Sequence, residues 1–156
     1  MVSPHIESSS VFAGILDPEV GGQFAVQPTG EFESDQEYVE RTNELETSLA
    51  TESGTATLTD FMPIVGEQQT LDIAEHALYR RVECGEGSIE FDVEFAPRFD
   101  YARAETTVEA VDGGVLATGN DEELFCQSSV ALDTDGSTAT GTVTLDEGDT
   151  VWFVCQ

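Results

Sequence analysis

The sequence contains no lysine. Its positive charge rests on five arginines, Arg41, Arg80, Arg81, Arg98 and Arg103, against 32 Asp and Glu, for a formal charge of −27 over 156 residues. So negative a surface repels phosphate backbones and anionic headgroups, which argues against nucleic acid and membrane surfaces as partners. Without lysine there is no Gly-x-x-x-x-Gly-Lys phosphate loop. No apolar run approaches the roughly 20 residues of a bilayer span. Met1–Ser10 lacks the basic n-region and apolar h-region of a secretory signal. The two histidines, His5 and His76, lie far apart and show neither His-x-His nor His-Glu-x-x-His spacing, so no zinc site is expected. No Gly-x-Ser-x-Gly elbow positions a serine nucleophile. Cys84, Cys126 and Cys155 sit in or beside apolar strand patterns, outside any Cys-x-x-Cys pair, and read as buried reduced thiols.

What the chain does have is a core. Hydrophobic residues make up 39% of it, with nine Phe spread along its length. That distinguishes it from acidic chains too polar to offset their ordering entropy. A folded domain in an acidic coat is the expectation. At about 1 M salt the Debye length falls to roughly 3 Å, which screens the self-repulsion such a coat generates. The coat therefore reads as adaptation to a salt-loaded cytoplasm. The length suits a single domain over residues 1–156.

Strand periodicity dominates. Ile89, Phe91, Val93 and Phe95 alternate with Glu90, Asp92 and Glu94, the pattern of a half-buried strand. Residues 45–51, 55–61, 77–84, 106–111, 114–118, 123–130 and 138–145 read as further strands. Val151–Cys155, continuously apolar, reads as a strand covered on both faces. Turn residues such as Glu52-Ser53-Gly54, Gly85-Glu86-Gly87, Asp112-Gly113-Gly114, Asp135-Gly136 and Glu147-Gly148-Asp149 separate these runs. The predicted fold is all-β, an antiparallel β-sandwich of the super-sandwich type with little helix. Helix is confined to a turn or two over residues 10–16; residues 71–77 read as loop into strand.

The acid count invites a search for the carboxylate pair of a glycosidase. Asp121-Glu122-Glu123 and Asp146-Glu147 lie at turns, where solvated charge is the expectation, and no catalytic residue is assigned. Asp133-x-Asp135-Gly136 lacks the later bidentate Glu of a calcium loop and reads as an Asp-Gly hairpin turn, so no metal is assigned either. Trp152 is expected in the core, with Tyr38, Tyr79 and Tyr101 better placed for exposure. The segment Ala96-Pro97-Arg98-Phe99-Asp100-Tyr101-Ala102-Arg103 follows the clearest strand and holds two of the five cations. In so acidic a chain, Arg98 and Arg103 are expected to have carboxylate partners.

Pro97-Arg98-Phe99-Asp100-Tyr101 and Tyr79-Arg80-Arg81-Val82 resemble the amino-terminal β-sandwich domain of glycoside hydrolase family 15, the prokaryotic glucoamylase and trehalase group, in a form suited to a halophilic archaeon. Ser8–Ala13, Asp17–Phe24, Thr42–Thr47 after Tyr38, Thr59–Pro63 and Gly148–Val154 resemble further landmarks of that domain, in the same order. In the family the sandwich precedes an (α/α)6 barrel that hydrolyses α-glucosidic bonds by inversion with two glutamates. The resemblance implies that the barrel and the leading strands of the sandwich lie outside this chain. It carries over neither catalytic positions nor a cofactor. Ile6-Glu7 stand where the family has Phe-Asp, and Ser9 where it has proline.

The resemblance implies a non-catalytic domain that packs against, and helps shape, a separate (α/α)6 catalytic domain, with Arg98, Asp100 and Tyr101 on the domain-contact or sugar-proximal loop. The chain alone is expected not to be an enzyme, whereas its parent would be a glucan 1,4-alpha-glucosidase or trehalase acting on α-glucan or trehalose. The alternative is a stand-alone carbohydrate-binding or protein-interaction module. Missing leading strands would leave a free sheet edge, and such an edge is expected to pair in a homodimer.

Overall fold

Alternating side chains bury one face of a strand and leave the other to water, and that rule organises the protein. The computed structural model describes residues 11–13, 21–63 and 77–156. Its elements are β1 (Gln23–Pro28), β2 (Glu33–Tyr38), β3 (Leu45–Ala50), β4 (Gly54–Phe61), β5 (Leu78–Ala96), a 3-10 turn (Phe99–Ala102), β6 (Thr107–Val111), β7 (Gly114–Gly119), β8 (Glu122–Ser128), β9 (Asp133–Thr134), β10 (Ala139–Asp146) and β11 (Thr150–Cys155). Their pairing is antiparallel. The fold is the all-β sandwich class expected. Residues 14–20 and 64–76, with most of the short helix and of the loop predicted there, and His5 and His76, lie outside the described residues; residues 11–13 of the predicted helix are described and are not helical.

The described residues form two compact units. One joins those up to Gln27 with Phe91–Val143; the other joins those of Pro28–Glu90 with Thr144–Gln156. In the second unit the strand order is β2-β3-β4-β5-β11. Its inner face buries Leu49, Ala56, Leu58, Val82, Cys84, Val151, Phe153 and Cys155. Burying a side chain the size of Leu or Phe contributes about 1.5–3 kcal/mol, so this face accounts for much of the unit's cohesion. In the first unit β6, β7 and β8 form a meander burying Val108, Val115, Ala117, Leu124 and Cys126. Phe95 packs edge-on against Phe12 and Phe24, at ring-centroid distances of 5.9 and 5.7 Å.

Three readings of the sequence need correction. Gly85-Glu86-Gly87 is no turn; β5 runs through it for 19 residues. Thr55 pairs with Glu86 and Ala56 with Cys84, so Gly85 is the extra residue of a β-bulge. At Gly87 (φ +77°) a Cβ would fall 2.1 Å from Ser53 O, so only glycine permits the close approach. Second, β11 is covered on one face only: Val151, Phe153 and Cys155 are buried, while Trp152 is 40% exposed. Third, β1 and β2 were not foreseen. β2 has the composition ESDQEY and every residue exposed, so no apolar alternation marks it. It is the end strand of its sheet, paired to β3, and carries Glu33, Asp35 and Glu37, charges that discourage pairing with another chain.

Candidate functional site

Two places gather the distinctive residues, one in each unit. In the first unit β5 stops at Ala96 because Pro97, buried, has no N–H for a ladder. The Arg98 N–H instead donates to Val11 O at 2.9 Å. Gly22 (φ +72°) makes room for this contact, since a Cβ there would lie within 2.9 Å of Ala96 O, Arg98 N and Val11 O. Arg98 Nη1 donates to the carbonyl oxygens of Pro97 (2.7 Å) and Ser137 (2.8 Å), and Nη2 lies 3.4 Å from Thr138 Oγ1. At Nη1 the clamp is therefore built of carbonyls where a carboxylate was expected.

Phe99 is buried and presses so closely on Gly119 that a Cβ there would sit 2.4 Å from its ring. The chain then takes three consecutive left-handed residues, Asp100 (φ 49°), Tyr101 (φ 54°) and Ala102 (φ 63°). For L-residues that conformation costs about 1–2 kcal/mol each. The turn is closed by Arg103 N–H to Asp100 O (3.1 Å) and Ala104 N–H to Phe99 O (3.4 Å). The result presents Tyr101, 50% exposed, with the Arg103 guanidinium 6.0 Å from its ring centre. The sequence-predicted trio thus shares one turn in different roles: Arg98 ties it down, Asp100 forms its strained backbone, and Tyr101 is displayed.

Beside it, Asp135 is the acceptor of an Asp-Gly turn. Its Oδ1 accepts from Ser137 N–H (2.9 Å), Ser137 Oγ (3.1 Å) and Thr138 N–H (2.8 Å). The two backbone N–H groups, with the Ser137 hydroxyl and more distantly Arg98, hold its carboxyl below the usual carboxylate range.

In the second unit the register sets Asp60 opposite Arg80 and Thr59 opposite Arg81. Arg80 grips Asp60 bidentately, Nε to Oδ1 at 2.7 Å and Nη2 to Oδ2 at 2.9 Å, with side chains only 14% and 19% exposed. Asn43 Nδ2 donates to Met62 O, tying the Thr42–Thr47 segment to the Thr59–Pro63 segment. On the opposite sheet face Phe61 stacks on Tyr79 (5.2 Å) and meets Trp152 edge-on (6.4 Å). The Arg81 guanidinium lies over the Trp152 ring, 5.8 Å from its centre. Arg81 Nη2 reaches Thr59 Oγ1 at 3.5 Å and Glu83 at 3.8 Å, both long contacts. Among the described residues, Arg81 Nε is the one buried side-chain nitrogen or oxygen with no hydrogen-bond partner.

Sequence reasoning missed this second place, and it put Trp152 in the core. The signal was present: Asp60-Phe61 and Tyr79-Arg80, run antiparallel, bring acid to base and ring to ring. It becomes readable only once the register is known.

Cys84, Cys126 and Cys155 are all buried. Burial pushes the Cys84 thiol up, helped by the nearby carboxylates Asp146, Asp149 and Glu147, so it stays protonated and unreactive. Asp121, Glu123, Asp146 and Glu147 are exposed. Among the described residues no three His, Cys, Asp or Glu are grouped to hold a metal. Both places present aromatic rings and guanidinium groups.

Residues 1–154 match the family model described as "Trehalase-like, N-terminal". The trehalase of Thermoplasma volcanium is 29% identical over 97% of this chain and 24% of its own length. That of Thermoplasma acidophilum is 28% identical over 97% and 26%. The trehalase of Mycobacterium tuberculosis is 28% identical over 96% and 25%. The chain therefore spans about a quarter of the length of these curated relatives.

Proposed function

The chain belongs to the trehalase-like N-terminal family, and from that membership we propose that it is the non-catalytic sandwich domain of an α-glucoside hydrolase, packing against and helping to shape an (α/α)6 catalytic domain. The observation that carries this reading is the extent of the match: nearly all of this chain corresponds to only a quarter of each trehalase. The parent enzyme would act on trehalose or a related α-glucan. Arg98, Asp100 and Tyr101 form the contact loop in this proposal, with Tyr101 as the displayed residue and Arg98 as its anchor.

The test combines this chain with the glycosidase domain encoded after it, in the same or the adjoining reading frame. This chain alone should release no glucose from trehalose or maltooligosaccharides, and the two together should form a one-to-one complex that does. Glucose release by this chain alone, or failure to associate, would refute the reading.

The acidic coat extends the proposal to a salt-loaded cytoplasm, where screening relieves the charge of −27. Melting temperatures should rise markedly in molar KCl; indifference to salt refutes this part. A homodimer through a free sheet edge is left out of the proposal, because β2 lines its edge with carboxylates.

The alternative, a carbohydrate-binding module, is favoured by one observation. An open cleft of about 720 Å³ in the second unit sets Phe32, 40% exposed, beside Glu31, Thr51 and Glu52, a ring with hydroxyl and carboxylate acceptors around it. Titration with trehalose and maltoheptaose, followed by amide shifts at these residues, separates the two readings.

A further inference from the structure

We propose that the face formed by Phe61, Tyr79, Arg81 and Trp152 is a further surface on which the glycosidase catalytic domain docks, with a carboxylate of that domain accepting from the Arg81 guanidinium. This rests on the reading just given and assigns a surface and a chemistry to it.

The first ground is the unsatisfied donor. Arg81 Nε is buried yet has no acceptor, and a buried donor left unpaired is costly, the more so when it is charged. The long contacts at Nη2 do not relieve it. The side chain as a whole is 35% exposed, so docking that turns the guanidinium outward lets a carboxylate accept from Nε and an Nη together, as Asp60 already does for Arg80.

Composition is the second ground. Trp, Tyr and Arg dominate the centres of protein interfaces. Here the sole tryptophan is 40% exposed beside a stacked Phe61–Tyr79 pair, in a chain whose other surface is overwhelmingly acidic. One cation set among aromatic rings selects a partner that offers a carboxylate in an apolar surround.

The third ground is position along the chain. Trp152 lies on β11, which ends at Cys155. Some three quarters of each relative lies outside the matched portion, which the family model describes as N-terminal. A catalytic domain following this one leaves the sheet within a few residues of Trp152.

Other occupants fit less well. A sugar ring would need the Trp152 face that Arg81 covers. A second copy would bring another charge of −27 to the contact.

Because Trp152 is the only tryptophan, 5-fluorotryptophan places a single ¹⁹F reporter on this face. The full chain so labelled is titrated with the unlabelled glycosidase domain encoded after it, while native mass spectrometry counts the complex. The expected result is a ¹⁹F shift saturating at one-to-one, with loss of the H₂O/D₂O isotope shift. Arg81→Met should weaken binding at least tenfold with unchanged circular dichroism, and Arg81→Lys should recover only part of it. A one-to-one complex that leaves the ¹⁹F resonance and its isotope shift unmoved overturns this proposal and spares the parent reading. No complex at all overturns both. A shift produced by trehalose or maltoheptaose, or by concentrating the chain alone, also overturns it, in favour of a sugar platform or a second copy.

Discussion

The turn around Arg98 and the face around Arg81 solve one problem in two ways. Each must accommodate a partly buried arginine in a chain with six times more acids than bases. The turn satisfies Arg98 from within, using main-chain carbonyls, and the order so obtained supports three left-handed residues. The sheet satisfies Arg80 from within, using Asp60, but leaves Arg81 Nε without an acceptor one residue later. Internal satisfaction makes a scaffold, whereas an open donor among aromatic rings makes a surface. Neighbours in sequence can therefore have opposite roles, because strand alternation sends them to opposite faces.

The comparison can be broken at several points. The largest effect is expected at the Arg80–Asp60 pair. Asp60→Ala strands a mostly buried guanidinium and should cost about 3 kcal/mol or more. With a shift of about 2–4 °C per kcal/mol for a chain of this size, calorimetry should show a fall approaching 10 °C. The pairwise replacement Asp60→Leu with Arg80→Met should lose less than the single change; an equal loss would show that the pair is not what matters.

Arg98→Met comes next. It removes charge-assisted bonds to Pro97 O and Ser137 O, a loss of about 1.5–3 kcal/mol in chemical denaturation. Amide exchange should quicken over 99–104 and 137–138 while the β3–β4 amides keep their protection. If protection is lost evenly, the turn is not the local device described.

Gly119→Ala forces a Cβ into the Phe99 ring and should destabilise by about 1–3 kcal/mol. Gly113→Ala provides the contrast: no atom lies within 4 Å of its Cβ, so its loss comes from the positive φ alone. Equal losses at the two sites would dismiss the packing of Phe99 on Gly119.

Ala102→Gly should go the other way. It relieves one left-handed residue and should stabilise by about 1 kcal/mol at most. A loss would show that the methyl group matters more than the strain.

The smallest effect concerns pH. Asp135 titrates below its unfolded value, so its contribution is complete above the ordinary carboxylate range and disappears as pH falls through the folded value. NMR titration of the Asp135 carboxyl should show a depressed midpoint, returning towards normal when Ser137→Ala removes the hydroxyl donor. A normal midpoint in the unaltered chain would refute the turn's hydrogen bonding.

Much of this architecture was legible beforehand. Strands β3, β4, β6, β7, β8 and β10 lie close to where alternation put them, because each buries one face and the period of two survives in the sequence. β2 was invisible because an edge strand of polar residues is held by backbone hydrogen bonds to its neighbour, which leave no trace in hydropathy. Gly85-Glu86-Gly87 misled because glycine serves a bulge as well as a turn, and only the partner strand decides which. Of the candidate site, the 97–103 segment stood out through its proline and two arginines. The roles of those arginines did not, since carbonyl acceptors occur at every residue and cannot be read from side-chain identity.

By itself the sequence determined the all-β class, the acidic coat and the family, since these depend on composition, on period and on the order of short motifs. Tertiary structure alone decided that Arg80 is closed and Arg81 open, that Trp152 faces outward, and that Arg98 is an anchor. Those outcomes depend on register, and register comes from how distant strands meet: a one-residue shift exchanges the two faces of a strand and would exchange the roles of Arg80 and Arg81.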